Sequence, residues 1–187
     1  QTLRFHDVPS TVHLPDRRKE GYGLNIPEIE RLAAEEGPGI LLTVDCGISD
    51  VKAVERAREL GFMVVVSDHH MPPEELPPAH AITNPRLSED NPCPHLAGVG
   101  VALKLVQVLG GRLGQPHLWR DFTDFATLGT VADLMPMRDE NRALVSDGIA
   151  RMNAAPRPCI AALLATSGAA DKPVSATNLS FSVIPRL

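Results

Sequence analysis

Short apolar runs alternate with amphipathic stretches through the first half of the chain, and this alternation predicts a parallel α/β fold. Residues 40–45 (Ile-Leu-Leu-Thr-Val-Asp) and 62–67 (Phe-Met-Val-Val-Val-Ser) are rich in branched apolar side chains, as buried parallel strands are. Between them, Ser49 or Asp50 is expected to cap a helix that runs through Leu60, and Gly61 follows as a helix terminator. This βαβ order places the carboxyl ends of both strands at one edge of a sheet, where open α/β sheets bind their ligands.

The remaining elements extend this picture. Asn25 as N-cap predicts a helix over 26–36, and short strands are expected at 11–14 and 79–83. Seven prolines between positions 71 and 94 predict a long loop. Helical spacing then returns at 96–109, 119–132, 141–153 and 160–166, and one more helix or its beginning is expected at 175–183.

The predicted fold class is therefore α/β: a parallel sheet with helices on both faces, followed by a helical segment. We expect residues 1–135 to form the domain core and residues 136–187 to form a helical continuation that leads toward a further domain.

Composition narrows the possible settings of the protein. The net charge of −5 over 187 residues shows no overall basic character, so a nucleic-acid partner would need a local basic groove. The three cysteines form no Cys-x-x-Cys pair, which favours a reducing, cytoplasmic compartment over a disulfide framework or a zinc ribbon. No apolar run approaches the roughly 18 residues that span a bilayer, so no membrane partner is expected. Because the chain starts at Gln1 without an initiator Met, we expect it to be a piece of a longer protein.

Candidate chemistry lies where predicted elements end. Asp45 ends the first buried strand, the triplet Asp68, His69 and His70 follows the second, and Asp133 ends the helix 119–132. Carboxylate oxygens and imidazole nitrogens suit Mn²⁺, Mg²⁺ or Zn²⁺, and two such ions about 4 Å apart can activate water against a phosphate ester. The alternatives are that Asp45 caps the next helix and that the triplet is a polar cluster satisfied within the protein. We favour a metal centre, because three polar groups at the end of a buried strand need partners.

A basic cluster with an aromatic neighbour gives a candidate substrate surface. Arg17, Arg18 and Lys19 lie close in sequence to Tyr22. Such a group can contact phosphates and stack on a base, so Arg18 and Tyr22 are candidate substrate-binding residues. A solvated loop explains the same pattern.

Five sequence blocks resemble those of the DHH phosphoesterases, and within them the branch that degrades single-stranded DNA. The letters Asp-His-His alone recur by chance, whereas the order and spacing of all five blocks are specific. The blocks are residues 15–24 (Pro-Asp-Arg-Arg-Lys-Glu-Gly-Tyr-Gly-Leu), 42–48 (Leu-Thr-Val-Asp-Cys-Gly-Ile), 67–70 (Ser-Asp-His-His), 96–102 (Leu-Ala-Gly-Val-Gly-Val-Ala) and 129–133 (Gly-Thr-Val-Ala-Asp).

The resemblance implies a role for each candidate residue. Asp45 would bridge two Mn²⁺ or Mg²⁺ ions, and His69 and Asp133 would ligate one of them. Asp68 would orient an imidazole, as carboxylates behind metal-bound histidines do, and His70 would face the scissile phosphate as a hydrogen-bond donor. The implied reaction is stepwise 5′ to 3′ removal of nucleotides from single-stranded DNA in repair or recombination. A helicase or a single-strand-binding protein would be the protein partner.

Two blocks of the family pattern do not occur in residues 1–187, namely Asp-x-Asp-x-Asp-Gly and Asn-Ala-Ala-Gly-Arg. With three ligands instead of the full set, we expect the isolated chain to bind one metal weakly or none. Two alternatives to a nuclease follow: a non-catalytic DHH-type scaffold in a replication assembly, and a pyrophosphatase or small-phosphoester hydrolase. Four convergent polar side chains argue against the scaffold, and the glycine-containing blocks at 20–24 and 97–101 argue against the pyrophosphatase.

Overall fold

A parallel sheet of three strands organises the first part of the chain. In the computed structural model, which describes residues 3, 7–19, 21–169 and 172–186, the strands are β1 (Ile40–Val44), β2 (Met63–Ser67) and β3 (Ala81–Thr83). They lie in the order β1-β2-β3, and both pairs are parallel. The parallel sheet predicted from the two branched apolar runs is confirmed.

Two helices pack on one face of this sheet. In α1 (Ile26–Glu35) the Asn25 side chain accepts a hydrogen bond from the Glu28 backbone N–H, which confirms the predicted cap. α2 (Val51–Glu59) connects β1 to β2. The buried core of this part of the chain consists of Ile29, Ala53, Val54, Ala57, Phe62, Val64 and Val66.

The opposite face of the sheet is apolar and exposed along β1 and at the start of β2. Alternate residues of a strand face opposite sides of a sheet, so Ile40, Leu42 and Val44 of β1 share one face, where Met63 of β2 lies opposite Ile40. These four side chains are between 43% and 72% exposed, and we call them the apolar sheet face.

The predicted strand at 11–14 is wrong. This segment is extended but does not belong to the sheet. The Thr11 hydroxyl donates to Glu36 at 2.9 Å, and His13 lies 3.0 Å from the Glu28 carboxylate. A strand exists only where another strand pairs with it, and among the described residues none pairs with 11–14, so the polar side chains bind the helix region instead.

The contacts within the chain separate two units, residues 1–83 and 84–187, and the second unit is helical. The predicted helical segment is confirmed, and the segment predicted at 175–183 begins as a short α-helix and continues as a π-helix. The elements are α3 (Gly98–Arg112), a 3₁₀ helix (Leu118–Phe122), α4 (Thr123–Ala132), α5 (Asp139–Ala154), α6 (Pro158–Thr166), α7 (Ala176–Asn178), a π-helical segment (Leu179–Val183) and a 3₁₀ turn (Ile184–Arg186).

Two buried clusters form the core of the second unit. One contains Leu128, Val131, Val145, Met152, Ile160, Leu164, Ala169, Val174, Leu179 and Val183, and the other contains Leu96, Val101, Leu103, Ala126 and Leu144. Within the part of the chain that the structure describes, none of the helices is both long enough and apolar enough to cross a bilayer.

Close approach of α5 to α4 depends on Gly148. A Cβ at this position would lie 2.5 Å from the Thr123 carbonyl oxygen and would also collide with the Thr127 hydroxyl. We expect Gly148→Ala to lower the free energy of unfolding by about 1–3 kcal/mol, since a packed core cannot absorb the added methyl group. Gly111→Ala is the matched control, because nothing lies within 4 Å of its Cβ, and it should raise stability by up to about 1 kcal/mol. Urea unfolding of both variants tests this, and equal effects would contradict it.

Candidate metal centre

A sharp turn after β1 presents the Asp45 carboxylate at the carboxyl edge of the sheet. Asp45 has a φ of +67° and Gly47 a φ of +106°, both in the left-handed region. A Cβ at Gly47 would lie 2.8 Å from the Thr43 hydroxyl, so glycine is required there. The Asp45 N–H donates to the Ser67 carbonyl at 2.9 Å, which continues the pairing of β1 with β2. The Asp45 side chain is therefore held beside the end of β2 while remaining 58% exposed.

Asp68 is a buried carboxylate with four hydrogen-bond donors around it. Its Oδ2 accepts the Ile48 N–H at 3.0 Å. Its Oδ1 accepts the His69 N–H at 2.7 Å, the His70 N–H at 3.2 Å and the His70 ring at Nδ1 at 2.7 Å. Burial by itself raises the pKa of this carboxyl, but the bonds from Ile48, His70 and His69 outweigh burial and hold the pKa below its usual value. Asp68 is therefore ionised at neutral pH and ties the loop after β1 to the loop after β2.

The two histidines of the triplet lie close together beside Asp45. The buried His69 places Nε2 3.1 Å from Asp45 Oδ1, and the ring centroids of His69 and His70 are 4.4 Å apart. Because the ionised Asp68 accepts at His70 Nδ1, the proton of a neutral His70 lies on Nδ1 and Nε2 carries the lone pair. Asp45, His69 and His70 each offer one ligand atom, and these atoms lie within 4.8 Å of one another. We call these three residues the metal cluster.

The donor chemistry of the metal cluster fits a divalent cation of intermediate softness. A carboxylate oxygen with imidazole nitrogens suits Mn²⁺ or Zn²⁺, whereas Mg²⁺ prefers oxygen ligands. Cys46 adds no thiolate, because burial raises the pKa of its thiol to about 11.

Tyr22 joins the metal cluster through its hydroxyl group. The hydroxyl donates to the Asp45 carbonyl oxygen at 3.3 Å and lies 3.2 Å from His70 Nε2. The Arg17 guanidinium lies 5.7 Å from the centroid of the Tyr22 ring. Burial of the phenol, together with the Asp45 and Asp68 charges, raises the pKa of Tyr22, so the hydroxyl keeps its proton.

The two arginines of the basic cluster take different positions. The structure places Arg17 against the Tyr22 ring, whereas Arg18, the residue chosen from the sequence, is exposed and its backbone N–H donates to Asp16 at 3.0 Å. Sequence spacing gives no sign of which of two adjacent arginines faces an aromatic ring four or five positions away.

Asp50 is a residue of the centre that sequence reasoning missed. It occupies the N-cap position of α2, as expected, but makes no side-chain capping bond. Its carboxylate instead accepts the Leu24 N–H at 2.9 Å, and a Cβ at Gly23 would lie 2.6 Å from it. Asp50 therefore anchors the loop that carries Tyr22. The signal in the sequence is Gly23, which the close approach requires.

Asp133 lies in the second unit at the C-cap of α4, at the helix end where it was predicted. It is exposed, and its N–H donates to the Gly129 carbonyl at 2.9 Å.

Replacing the buried Asp68 carboxylate tests how much its hydrogen bonds contribute to the stability of the fold. Asp68→Asn puts an NH₂ group among four donors, so one donor loses its acceptor, and we expect the free energy of unfolding to fall by about 1–3 kcal/mol. Asp90→Asn removes the same charge from an exposed position and should change stability by less than about 0.5 kcal/mol. Urea unfolding followed by circular dichroism measures both, and a neutral Asp68→Asn would show that the four bonds contribute little.

Residues 5–130 of the chain match the family described as "DHH family, N-terminal domain". The single-stranded-DNA-specific exonuclease RecJ of Haemophilus influenzae is 41% identical over 99% of this chain and 33% of its own length. The protein of the same name from Bacillus subtilis is 39% identical over 100% of this chain and 23% of its own length.

A solved structure of a protein with the same name is also similar to this chain. A crystal structure of exonuclease RecJ bound to manganese superposes with a TM-score of 0.84 at 33% identity, covering 99% of this chain and 46% of that one. The chain thus spans a third or less of the length of these two relatives and just under half of the solved chain.

Proposed function

This chain belongs to the DHH family, and we propose that it is part of a metal-dependent phosphodiesterase that removes nucleotides from single-stranded DNA in the 5′ to 3′ direction. The observation that carries the proposal is the metal cluster, in which Asp45, His69 and His70 converge above the buried Asp68. Since the chain spans about a third of the Haemophilus influenzae relative, the activity is proposed for the longer protein and not for residues 1–187 alone.

Asp45, His69 and Asp133 are the proposed ligands of Mn²⁺ or Mg²⁺. The imidazole of His69 favours Mn²⁺ over Mg²⁺, and related RecJ exonucleases have been solved with Mn²⁺ and with Mg²⁺. When bound, such an ion supplies Lewis-acid stabilisation of a phosphoryl oxygen and lowers the pKa of a water ligand.

His70 is the proposed donor to the substrate phosphate or to the leaving oxygen. Asp68 holds its ring at Nδ1, so Nε2 points away from the buried carboxylate, and the side chain is 43% exposed. The form that donates from Nε2 is the imidazolium, which carries a proton on each ring nitrogen. Asp68 would thus act through His70 and not on the substrate.

Tyr22 and the arginines before it are the proposed contacts to the nucleic acid. The Tyr22 ring is 64% exposed with Arg17 on it, which is an arrangement on which a nucleobase can stack. Arg18 is exposed and available to a backbone phosphate. Pyrophosphate has no base to stack, so this surface favours a substrate that carries a nucleobase over pyrophosphate.

The setting we propose is cytoplasmic DNA repair or recombination. A helicase or a single-strand-binding protein would expose or hold the single strand on which the enzyme acts. The metal cluster argues against a scaffold without catalytic activity, because a scaffold does not need these convergent side chains.

Removing one proposed ligand in the complete protein tests the metal centre. Asp45→Asn keeps the size of the side chain, and Asn tolerates the φ of +67°, so the fold should persist. We expect Mn²⁺ affinity to fall at least tenfold and cleavage of a 5′-phosphorylated single strand to fall at least about 100-fold, since even residues behind the ligands are worth about 10–100-fold. Mn²⁺ titration by electron paramagnetic resonance and single-turnover cleavage measure these effects.

The controls separate the competing functions. Asp90→Asn should bind Mn²⁺ and cleave as the wild type does. Preferred hydrolysis of pyrophosphate over a single strand would favour the small-phosphoester alternative, and Mn²⁺ binding without any hydrolysis would favour the scaffold.

The salt dependence of binding tests the role of Arg18. Each phosphate contact to a single strand contributes about 0.7 to the slope of log affinity against log salt concentration. In an Asp45→Asn background, which prevents cleavage, Arg18→Ala should therefore reduce that slope by about 0.7. Arg112→Ala removes the same charge from an exposed position at the end of α3 and should leave the slope unchanged. Fluorescence anisotropy with a labelled oligonucleotide gives the slopes, and equal slopes for all three proteins would remove Arg18 from the substrate surface.

A further inference from the structure

We propose that the Tyr22 hydroxyl is a positioning group that holds the His70 ring and the Asp45 main chain in a fixed relation, separately from any contact that the Tyr22 ring makes with a base. The catalytic consequence of this inference rests on the proposed function, whereas the hydrogen bonds themselves do not.

The hydroxyl lies between two groups of the centre. It is 3.3 Å from the Asp45 carbonyl oxygen and 3.2 Å from His70 Nε2. A phenolic hydroxyl has one proton to donate, and both the Asp45 carbonyl oxygen and the lone pair of Nε2 lie within its reach as acceptors. One atom therefore contacts the main chain of a proposed ligand and the ring of the proposed donor.

The His70 ring has a polar partner at each of its two nitrogens. Asp68 accepts at Nδ1, and the side chain is 43% exposed. The Tyr22 hydroxyl contacts Nε2 on the far side of the ring, and the two rings meet edge to face with centroids 6.0 Å apart. Contacts at both nitrogens hold the ring in one orientation, and a phosphate that reaches Nε2 takes the place of the hydroxyl at the single hydrogen-bonding site of that nitrogen.

Asp45 needs a contact for a different reason. Its φ of +67° is an uncommon conformation for a residue with a side chain, and such residues persist where the surrounding structure holds them. The hydroxyl of Tyr22 engages the carbonyl of this residue, next to the turn that aims the carboxylate.

The position of Tyr22 is itself fixed by the protein. Gly21 and Gly23 on either side have φ values of +82° and +84°, and Asp50 binds the Leu24 N–H at 2.9 Å. The loop is thus fastened to the start of α2. This leaves the exposed ring free to receive a base while the hydroxyl end is engaged, so the two ends of one side chain have separate tasks.

Two variants of the complete protein separate these tasks. Tyr22→Phe keeps the ring and removes the hydroxyl, so kcat for a 5′-phosphorylated single strand should fall about tenfold while KM stays within twofold. Tyr22→Leu removes both, so the same loss in kcat should come with a higher KM. A kcat of Tyr22→Phe equal to that of the wild type, with the loss confined to KM in Tyr22→Leu, would overturn the positioning role and leave only base contact.

A spectroscopic measurement tests the contact without relying on activity. In the complete protein labelled with ¹⁵N-histidine, His70→Gln identifies the His70 signals. Tyr22→Phe should shift the Nε2 resonance of His70 and leave its Nδ1 resonance near the wild-type position, because the bond to Asp68 remains. An unchanged Nε2 resonance would refute the contact. A wild-type protein that degrades no single strand, but whose Nε2 resonance still responds to Tyr22→Phe, would refute the proposed function and support the contact.

Discussion

The candidate centre depends on one buried charge. The Asp68 carboxylate accepts hydrogen bonds from Ile48 in the loop after β1 and from His69 and His70 in the loop after β2. An ionised group in a dry environment is tolerable only when its bonds replace the water it has lost. The four bonds that stabilise the buried charge also hold the two loops. The geometry of the metal cluster therefore depends on the same bonds that keep Asp68 ionised.

Around this charge, burial decreases toward the groups that would meet substrate. Asp68 and His69 are buried, whereas Asp45, His70 and Tyr22 are exposed in part. The protein sets the orientation of the buried Asp68 and His69 side chains. The partly exposed side chains of Asp45, His70 and Tyr22 can reach a ligand. Asp50 extends the same arrangement outward, since it holds the Tyr22 loop at Leu24 and Gly23.

The sequence was informative wherever a local rule decides the structure. Branched apolar runs predicted β1 and β2, the side chain of Asn25 predicted the start of α1, and the parallel order predicted that Asp45 and Asp68 would meet at one edge. Residues 11–14 were wrongly predicted to be a strand, because a strand depends on its partner as much as on its own residues. Which of Arg17 and Arg18 lies on the Tyr22 ring is also not decided by a local rule, because the direction of a long side chain is set by contacts far along the chain. Asp50 was assigned to helix capping, and its carboxylate instead binds a loop that lies 26 residues earlier.

The apolar sheet face has a consequence for the behaviour of this chain in solution. Parallel sheets are stable with both faces covered, and within the part of the chain that the structure describes β1 pairs only with β2, so its other edge is open. An open strand edge beside exposed Ile40, Leu42 and Val44 is a surface on which a second polypeptide can add by hydrogen bonding and by burial of apolar area. The colloidal stability of residues 1–187 is therefore limited by this surface, and the net charge of −5 opposes association only as far as salt leaves it unscreened.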